Sequence, residues 1–316
     1  MVVVPVAILL TALAAQRRDI IVVTLQVLLI LVAVNLAGAA IVTTIAYLRV
    51  AVSQTLGYAL GNSESNCTSI AGLDYSKLVN LKRYKLGRLP YGEPIYECRT
   101  TGQIALTFDD GPYLYTKRLL DILKDSGAKA TFFITGSNLA KGSIDDPALP
   151  WASLIRRMYR EGHQIAAHTW THPDLETLSE SSRRREMYRL ELAFSKILGK
   201  IPTYMRPPYS SCEDSCLATM KILGYHVIYF DLDTDDYNHI LANQIQDSVK
   251  IATDIIRTVD PRTASIISIA HDIHPLSVLK LTVEMLKVIK AKGFQTVTVG
   301  ECLGDARSYW YRSLIV

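Results

Sequence analysis

The rhythm of apolar and polar positions changes at about residue 98. From there to the carboxyl end, short apolar runs alternate with stretches in which apolar residues recur every three or four positions, the spacing of one helix face. The runs at 103–108, 130–134, 164–167, 204–206, 226–231, 265–270 and 294–299 predict seven strands. The periodic stretches at 115–125, 151–161, 179–198, 215–223, 243–259 and 277–292 predict helices between them; in the first, Leu119, Leu120, Ile122 and Leu123 share a face. Strands alternating with helices pair in parallel, and seven of them suit a closed or nearly closed barrel. An open doubly wound sheet has the same periodicity and is the second choice.

Ahead of residue 98 the pattern differs. Between Ile20 and Leu48 no residue is charged, a stretch longer than the roughly 20 apolar residues that cross a bilayer. Arg17 and Arg18 precede it, and a basic flank keeps that side in the cytoplasm. The rest of the chain is then delivered outside the cytoplasm, either membrane-anchored or, after cleavage near Ala37-Gly38-Ala39, secreted to the cell wall. The earlier apolar run at 2–15 is shorter and lacks a basic flank; no role is assigned to it. Residues 50–97 read as linker and lead-in, polar from Asn62 to Asn66 and punctuated by Pro90, Gly92 and Pro94. The expected division is thus 1–49 signal or anchor, 50–97 linker, 98–303 catalytic domain and 304–316 tail.

Composition narrows the function. With 20% charged and 49% hydrophobic residues the chain is globular rather than disordered, and a net charge of +4 is small. The run Arg183-Arg184-Arg185 is flanked by Glu180, Glu186 and Glu191 and reads as a solvated helix face, so nucleic acid is not expected as a partner. Five cysteines, Cys67, Cys98, Cys212, Cys216 and Cys302, are compatible with disulfides outside the cytoplasm and leave one over. Asn66-Cys67-Thr68 is an acceptor triplet for N-glycosylation.

The polar residues fall at strand ends. Asp109 and Asp110 end the first strand, His168 the third, Arg206 the fourth and His271 the sixth, while Asp236 follows the fifth. In a parallel barrel all carboxyl ends open on one face, so these distant residues are expected to converge. Asp109-Asp110-Gly111-Pro112 is also good turn chemistry. His168 and His172 share one face if their segment makes a helical turn, and two imidazoles with one carboxylate form a catalytic zinc set that leaves a position open. His163 and His226 read as structural residues at strand entries; His239 and His274 are unassigned.

Taken together, Thr107-Phe108-Asp109-Asp110-Gly111, His168-Thr169-Trp170-Thr171-His172, Arg206-Pro207-Pro208-Tyr209, Asp233-Thr234-Asp235-Asp236-Tyr237 and Ile269-Ala270-His271 resemble the five ordered motifs of the polysaccharide deacetylases of carbohydrate esterase family 4, the NodB-homology domain. The stretches 232–237, 271–274 and 298–305 are similar to fungal-type chitin deacetylases. The resemblance implies a distorted parallel (β/α) barrel and one divalent cation, zinc or else cobalt, held by Asp110, His168 and His172. It implies Asp109 as base, oriented by Arg206, and His271 as acid, kept charged by Asp236. Tyr209, whose backbone N–H would meet the oxyanion, Pro208, Tyr237 and Ile269 would bind substrate. Disulfides Cys98–Cys302 and Cys212–Cys216 are implied, with Cys67 left over. Tyr237 stands where the family has Trp and Ile269 where it has Leu, which changes the apolar wall. The implied activity is hydrolysis of N-acetyl groups on an N-acetylglucosamine polysaccharide, chitin first, by a monomer. Peptidoglycan or acetylxylan is the alternative substrate. A non-catalytic sugar-binding barrel is the alternative of another class, disfavoured because all six polar motif residues are present.

Overall fold

The run Gln103–Asp109 is buried on both faces from Ile104 onward, as the central strand of a covered parallel sheet must be. A computed structural model describes residues 75–313 and builds the sheet around this strand. Its strands are Pro94–Ile95 (β1), Gln103–Asp109 (β2), Thr131–Ile134 (β3), Gln164–Ala167 (β4), Lys200–Pro202 (β5), Tyr204–Met205 (β6), His226–Ile228 (β7), Leu232–Asp233 (β8), Ile266–His271 (β9), Gln295–Val297 (β10) and Tyr311–Ser313 (β11). The helices are Tyr75–Val79 (α1), Thr116–Asp125 (α2), Trp151–Arg160 (α3), Glu180–Leu198 (α4), Asp214–Leu223 (α5), Ile245–Thr258 (α6), Thr282–Lys292 (α7) and Val299–Cys302 (α8).

Nine strands pair in parallel in the order β1-β7-β6-β4-β3-β2-β9-β8, with β10 also on β2. Ile104 pairs with Ile266 on one side and Thr296 on the other, so β10 and β3 share one flank of β2. Chain order runs around the ring from β2 through β3, β4, β6 and β7, and then through β8 and β9 back to β2. A doubly wound sheet would reverse direction instead. The ring is completed across a seam by residues 226–233. Tyr229 N–H donates to Ile95 O (2.8 Å) at one edge, and Asp231 N–H to Ile267 O (3.1 Å) at the other. The result is a distorted parallel barrel. The strand count exceeds seven because β1 and β8 hold two residues each, too few to show a period.

Side chains alternate across a strand, and this alternation builds the interior. Ala105, Phe133, Ala166, Tyr204, Ile228 and Ile267 pack together as one apolar cluster. Two positions further along, the same faces carry Thr107, His168, Arg206 and Ile269, and two beyond that Asp109 and His271. An apolar floor therefore gives way to a polar mouth. Helices cover the outside: Leu119, Ile155, Leu190, Phe194, Ile256 and Ile289 belong to the outer core. Ser179 caps α4 by accepting from Ser182 N–H (3.3 Å), and Gly199, at φ 68°, ends it in the left-handed conformation that glycine adopts without a steric penalty. Arg183, expected in solvent, is instead buried and donates to Leu178 O and Ser215 Oγ.

The folded unit extends past the expected limits of 98 and 303. Arg83 makes a two-pronged ion pair with Glu191 of α4 (2.7 Å each) and bonds Leu223 O, and β1 pairs with β7. At the other end β11 pairs antiparallel with β5. Disulfides join Cys98 to Cys302 and Cys212 to Cys216. The apolar stretches at 2–15 and 20–48, Asn66 and Cys67 lie outside the described residues. Among the described residues no helix is long and apolar enough to cross a membrane.

Candidate active site and metal centre

The polar mouth is a cleft of about 510 Å³, within the usual range for small-ligand sites. Asp109, Asp110, His168, His172, Arg206, Tyr209, Tyr237, Ile269 and His271 all line it. Pro208, expected among the substrate-binding residues, does not: it is buried, and Pro207 takes the wall position. Asp236 is fully buried beneath His271.

Asp110 breaks the alternation of β2. Its φ of 75° is left-handed and turns its carboxylate away from the strand's own face. The turn brings Asp110 Oδ1 to 3.2 Å from His172 Nε2 and 3.6 Å from His168 Nε2. Ligand atoms from the three residues lie within 4.8 Å of one another. The histidine pair is not on a helical turn. Residues 168–172 form a loop in which Thr169 (φ 67°) and His172 (φ 62°) are both left-handed. Glu186 holds that loop by accepting from Trp170 N–H (2.9 Å), Thr171 N–H (2.7 Å) and the Thr171 hydroxyl (2.9 Å). His168 Nδ1 bonds Arg206 O at 2.7 Å, which leaves Nε2 free to face the cleft.

The electrostatics suit a cation. Asp110 Oδ1 is buried with no hydrogen-bond partner, a costly arrangement unless something positive meets it. Burial would raise the Asp110 pKa, but His168, His172, His271 and Lys141 together hold it below the ordinary carboxylate value. Burial, helped by His168, pushes His172 down to about 4, so its imidazole is neutral and competent as a ligand at neutral pH. Two imidazoles and one carboxylate are a zinc-type donor set with room for further ligands.

Two more groups flank this set. Asp109 is almost fully buried; its Oδ1 accepts from Arg206 Nη1 (2.8 Å), while Oδ2 lies 3.8 Å from His168 Nε2. Arg206 is itself immobilised by Thr107 Oγ1 (2.6 Å), Ile228 O (3.1 Å) and Tyr229 O (2.8 Å), with its guanidinium over the Phe133 ring. His271 Nδ1 is 2.7 Å from Asp236 Oδ1, and Asp236 Oδ2 accepts the His271 backbone N–H at 2.8 Å. Burial alone would lower the His271 pKa, but Asp236 overrides it and lifts the imidazolium to about 10.

Tyr209 is 69% exposed and left-handed (φ 58°), its ring edge-on to His172 at 4.7 Å. Tyr237 Oη donates to Asp233 Oδ2 at 3.0 Å. Phe230, Asp233, Ser210 and His274 also line the cleft but were not singled out in the sequence as site residues. Asp233 and Ser210 lie in or directly after quoted motifs, and His274 three residues after His271, so proximity was the available signal. His163 Nδ1 accepts from Ala130 N–H and His226 Nδ1 donates to Pro90 O, both structural bonds away from the cleft.

Comparison with known proteins agrees with this architecture. A family model described as polysaccharide deacetylase matches residues 96–228. The chain is 45% identical over 225 residues to a chitin deacetylase of Pestalotiopsis sp, a match covering 71% of this chain and 72% of that protein. It is 42% identical over 226 residues to a probable peptidoglycan-N-acetylglucosamine deacetylase of Arthroderma benhamiae, covering 71% of this chain and 49% of that protein. The structure of the chitin deacetylase from the fungal pathogen Colletotrichum lindemuthianum superposes with a TM-score of 0.68 at 41% identity, over 72% of this chain and 99% of that one. On sequence likeness and fold together, the chain belongs to the polysaccharide deacetylase family.

Proposed function

We propose that this chain hydrolyses the N-acetyl groups of an N-acetylglucosamine polysaccharide, chitin before others, giving free amines and acetate. One observation carries the reading: a carboxylate poised to accept a proton (Asp109) and an imidazolium poised to give one (His271) line a single cleft that also holds a three-residue metal set. Asp110, His168 and His172 would hold a divalent cation, zinc by donor chemistry. When bound, such an ion supplies Lewis acidity towards water and towards an acetamide carbonyl. Asp109 takes the proton from the attacking water, with Arg206 fixing its orientation. An amine leaves only when protonated, and His271 delivers that proton while Asp236 keeps the imidazole charged and in place. Tyr209, by its backbone N–H, and Ile269 and Tyr237, by their side chains, fit the roles of oxyanion donor and acetyl-pocket wall.

Chitin is favoured by identities of 41–45% to chitin deacetylases. Peptidoglycan is the second reading, favoured by the 42% identity to the Arthroderma protein. Acetate release from chitin oligomers, peptidoglycan and acetylxylan, each with and without chelator, decides between them. Release that is strongest from chitin and abolished by chelator is expected; release that survives complete metal removal would overturn the mechanism. Asp109→Asn should keep the metal and lose about 10²–10⁴-fold in kcat, whereas His168→Ala should lose the metal itself, as metal content per chain will show. The disulfides suit an oxidising compartment. The uncharged stretch 20–48 would carry the domain across a membrane and either stay or be cleaved, which fractionation of cells expressing the full chain resolves.

A further inference from the structure

A buried lysine amino group sits behind the turn that carries the metal set. Lys141, in the loop after β3, is 6% exposed and is not part of the cleft wall. Its Nζ donates to Asp110 O (2.8 Å), Gly111 O (2.9 Å) and Thr135 Oγ1 (2.8 Å). All three N–H groups are thus used, and none goes to a carboxylate oxygen. Burying a lysine costs several kcal/mol, so a lysine spent on backbone carbonyls calls for a reason beyond solubility or packing. The lysine is itself anchored: its backbone N–H bonds Asn138 O (3.0 Å), and its carbonyl accepts from Trp151 Nε1 (2.8 Å).

The two carbonyls it grips belong to Asp110 and Gly111. Asp110 is the residue whose left-handed φ of 75° swings its carboxylate towards His168 and His172. A left-handed aspartate is strained and persists only where its surroundings over-determine it. Thr135 Oγ1 reinforces the hold by donating to Asp110 O at 2.6 Å. On the other side Asp272, bonded to the Thr116 hydroxyl, packs so closely on Gly111 that a Cβ there would sit 2.3 Å from both of its oxygens. We infer that Lys141 is a positioning residue of the metal centre: by clamping the carbonyls of Asp110 and Gly111 it aims the Asp110 carboxylate at the two imidazoles. This rests on the metal reading of the site.

The test is zinc affinity, measured by competition with a chromogenic chelator on the full chain. Lys141→Met keeps length and loses the three donors; its zinc Kd should rise about 10–100-fold, and the zinc concentration giving half-maximal acetate release should rise with it. A purely structural role would lower the unfolding midpoint of the metal-free protein and leave the zinc Kd alone. A zinc Kd within about threefold of the parent therefore overturns the inference. If the methionine variant does not fold, Thr135→Val removes one arm of the same clamp and should weaken zinc in the same direction, by a smaller factor; an unchanged Kd there overturns it equally. Asp110→Asn separates the two readings. Should the parent bind zinc no better than Asp110→Asn, the metal reading falls; should the parent bind and the Lys141 variant match it, only the role of Lys141 falls.

Discussion

At the scale of single residues, the site depends on pairs whose members set each other's charge. The His271 imidazole would be neutral in its buried place without Asp236, and with it the pKa stands at about 10. Asp236→Asn should therefore shift the alkaline limb of the kcat/KM profile to lower pH, towards or below the ordinary histidine value of 6.5. A limb that stayed in place would remove His271 from the role of acid. The same pair affects stability with a definite sign. Because the folded pKa lies above the unfolded one, its contribution is complete below about 6.5 and is lost as pH rises through about 10. The residues legible in the sequence were those whose types announce chemistry at a strand end, such as Asp109, Asp110, His168 and His271. Lys141 was not among them: its partners are two carbonyls and a hydroxyl, and backbone acceptors leave no mark on the pattern of residue types.

At the scale of elements, the long segments were legible and the short or irregular ones were not. Each helix predicted downstream of residue 98 appears within a few residues of its expected limits, because an amphipathic stripe of ten or more residues is a strong signal. Strands β1, β5, β8 and β11 hold two or three residues each and were invisible to periodicity. The histidine loop is the instructive case. Four-residue spacing suggested a helical turn, but the geometry comes from two left-handed residues and the Glu186 carboxylate on α4, 15 and 16 residues along the chain from the amides it holds. Its far support is Gly136, whose N–H bonds Thr169 O at 3.1 Å and where a Cβ would lie 1.9 Å from the Trp170 ring. Gly136→Ala should displace Trp170, cost about 1–3 kcal/mol in urea unfolding and weaken metal binding, because the strain falls on the segment between the two histidines. Full metal affinity in that variant would show the loop to be more compliant than its contacts suggest.

For the whole molecule, a parallel α/β class was legible from alternation, whereas the choice of a barrel over an open doubly wound sheet was not, since closure depends on hydrogen bonds by Tyr229 and Asp231 to two different edges. The boundaries drawn at 98 and 303 fell inside the fold because Arg83 and β11 pack through contacts that no local pattern encodes. The two disulfides differ in reach: Cys98–Cys302 spans 204 residues and Cys212–Cys216 only 4. Loop entropy then predicts a loss of about 5 kcal/mol for Cys302→Ser and about 2 kcal/mol for Cys212→Ser. Equal losses in urea titrations would point to local strain or packing rather than chain restriction. The circular order of the strands has a consequence for biosynthesis. Asp109 is made early, its clamp Arg206 near the middle, and His271 only on β9, the strand that returns to lie beside β2. A nascent or truncated polypeptide that stops before β9 therefore carries Asp109 without His271, and the proposed proton relay would be assembled only when the ring has been completed.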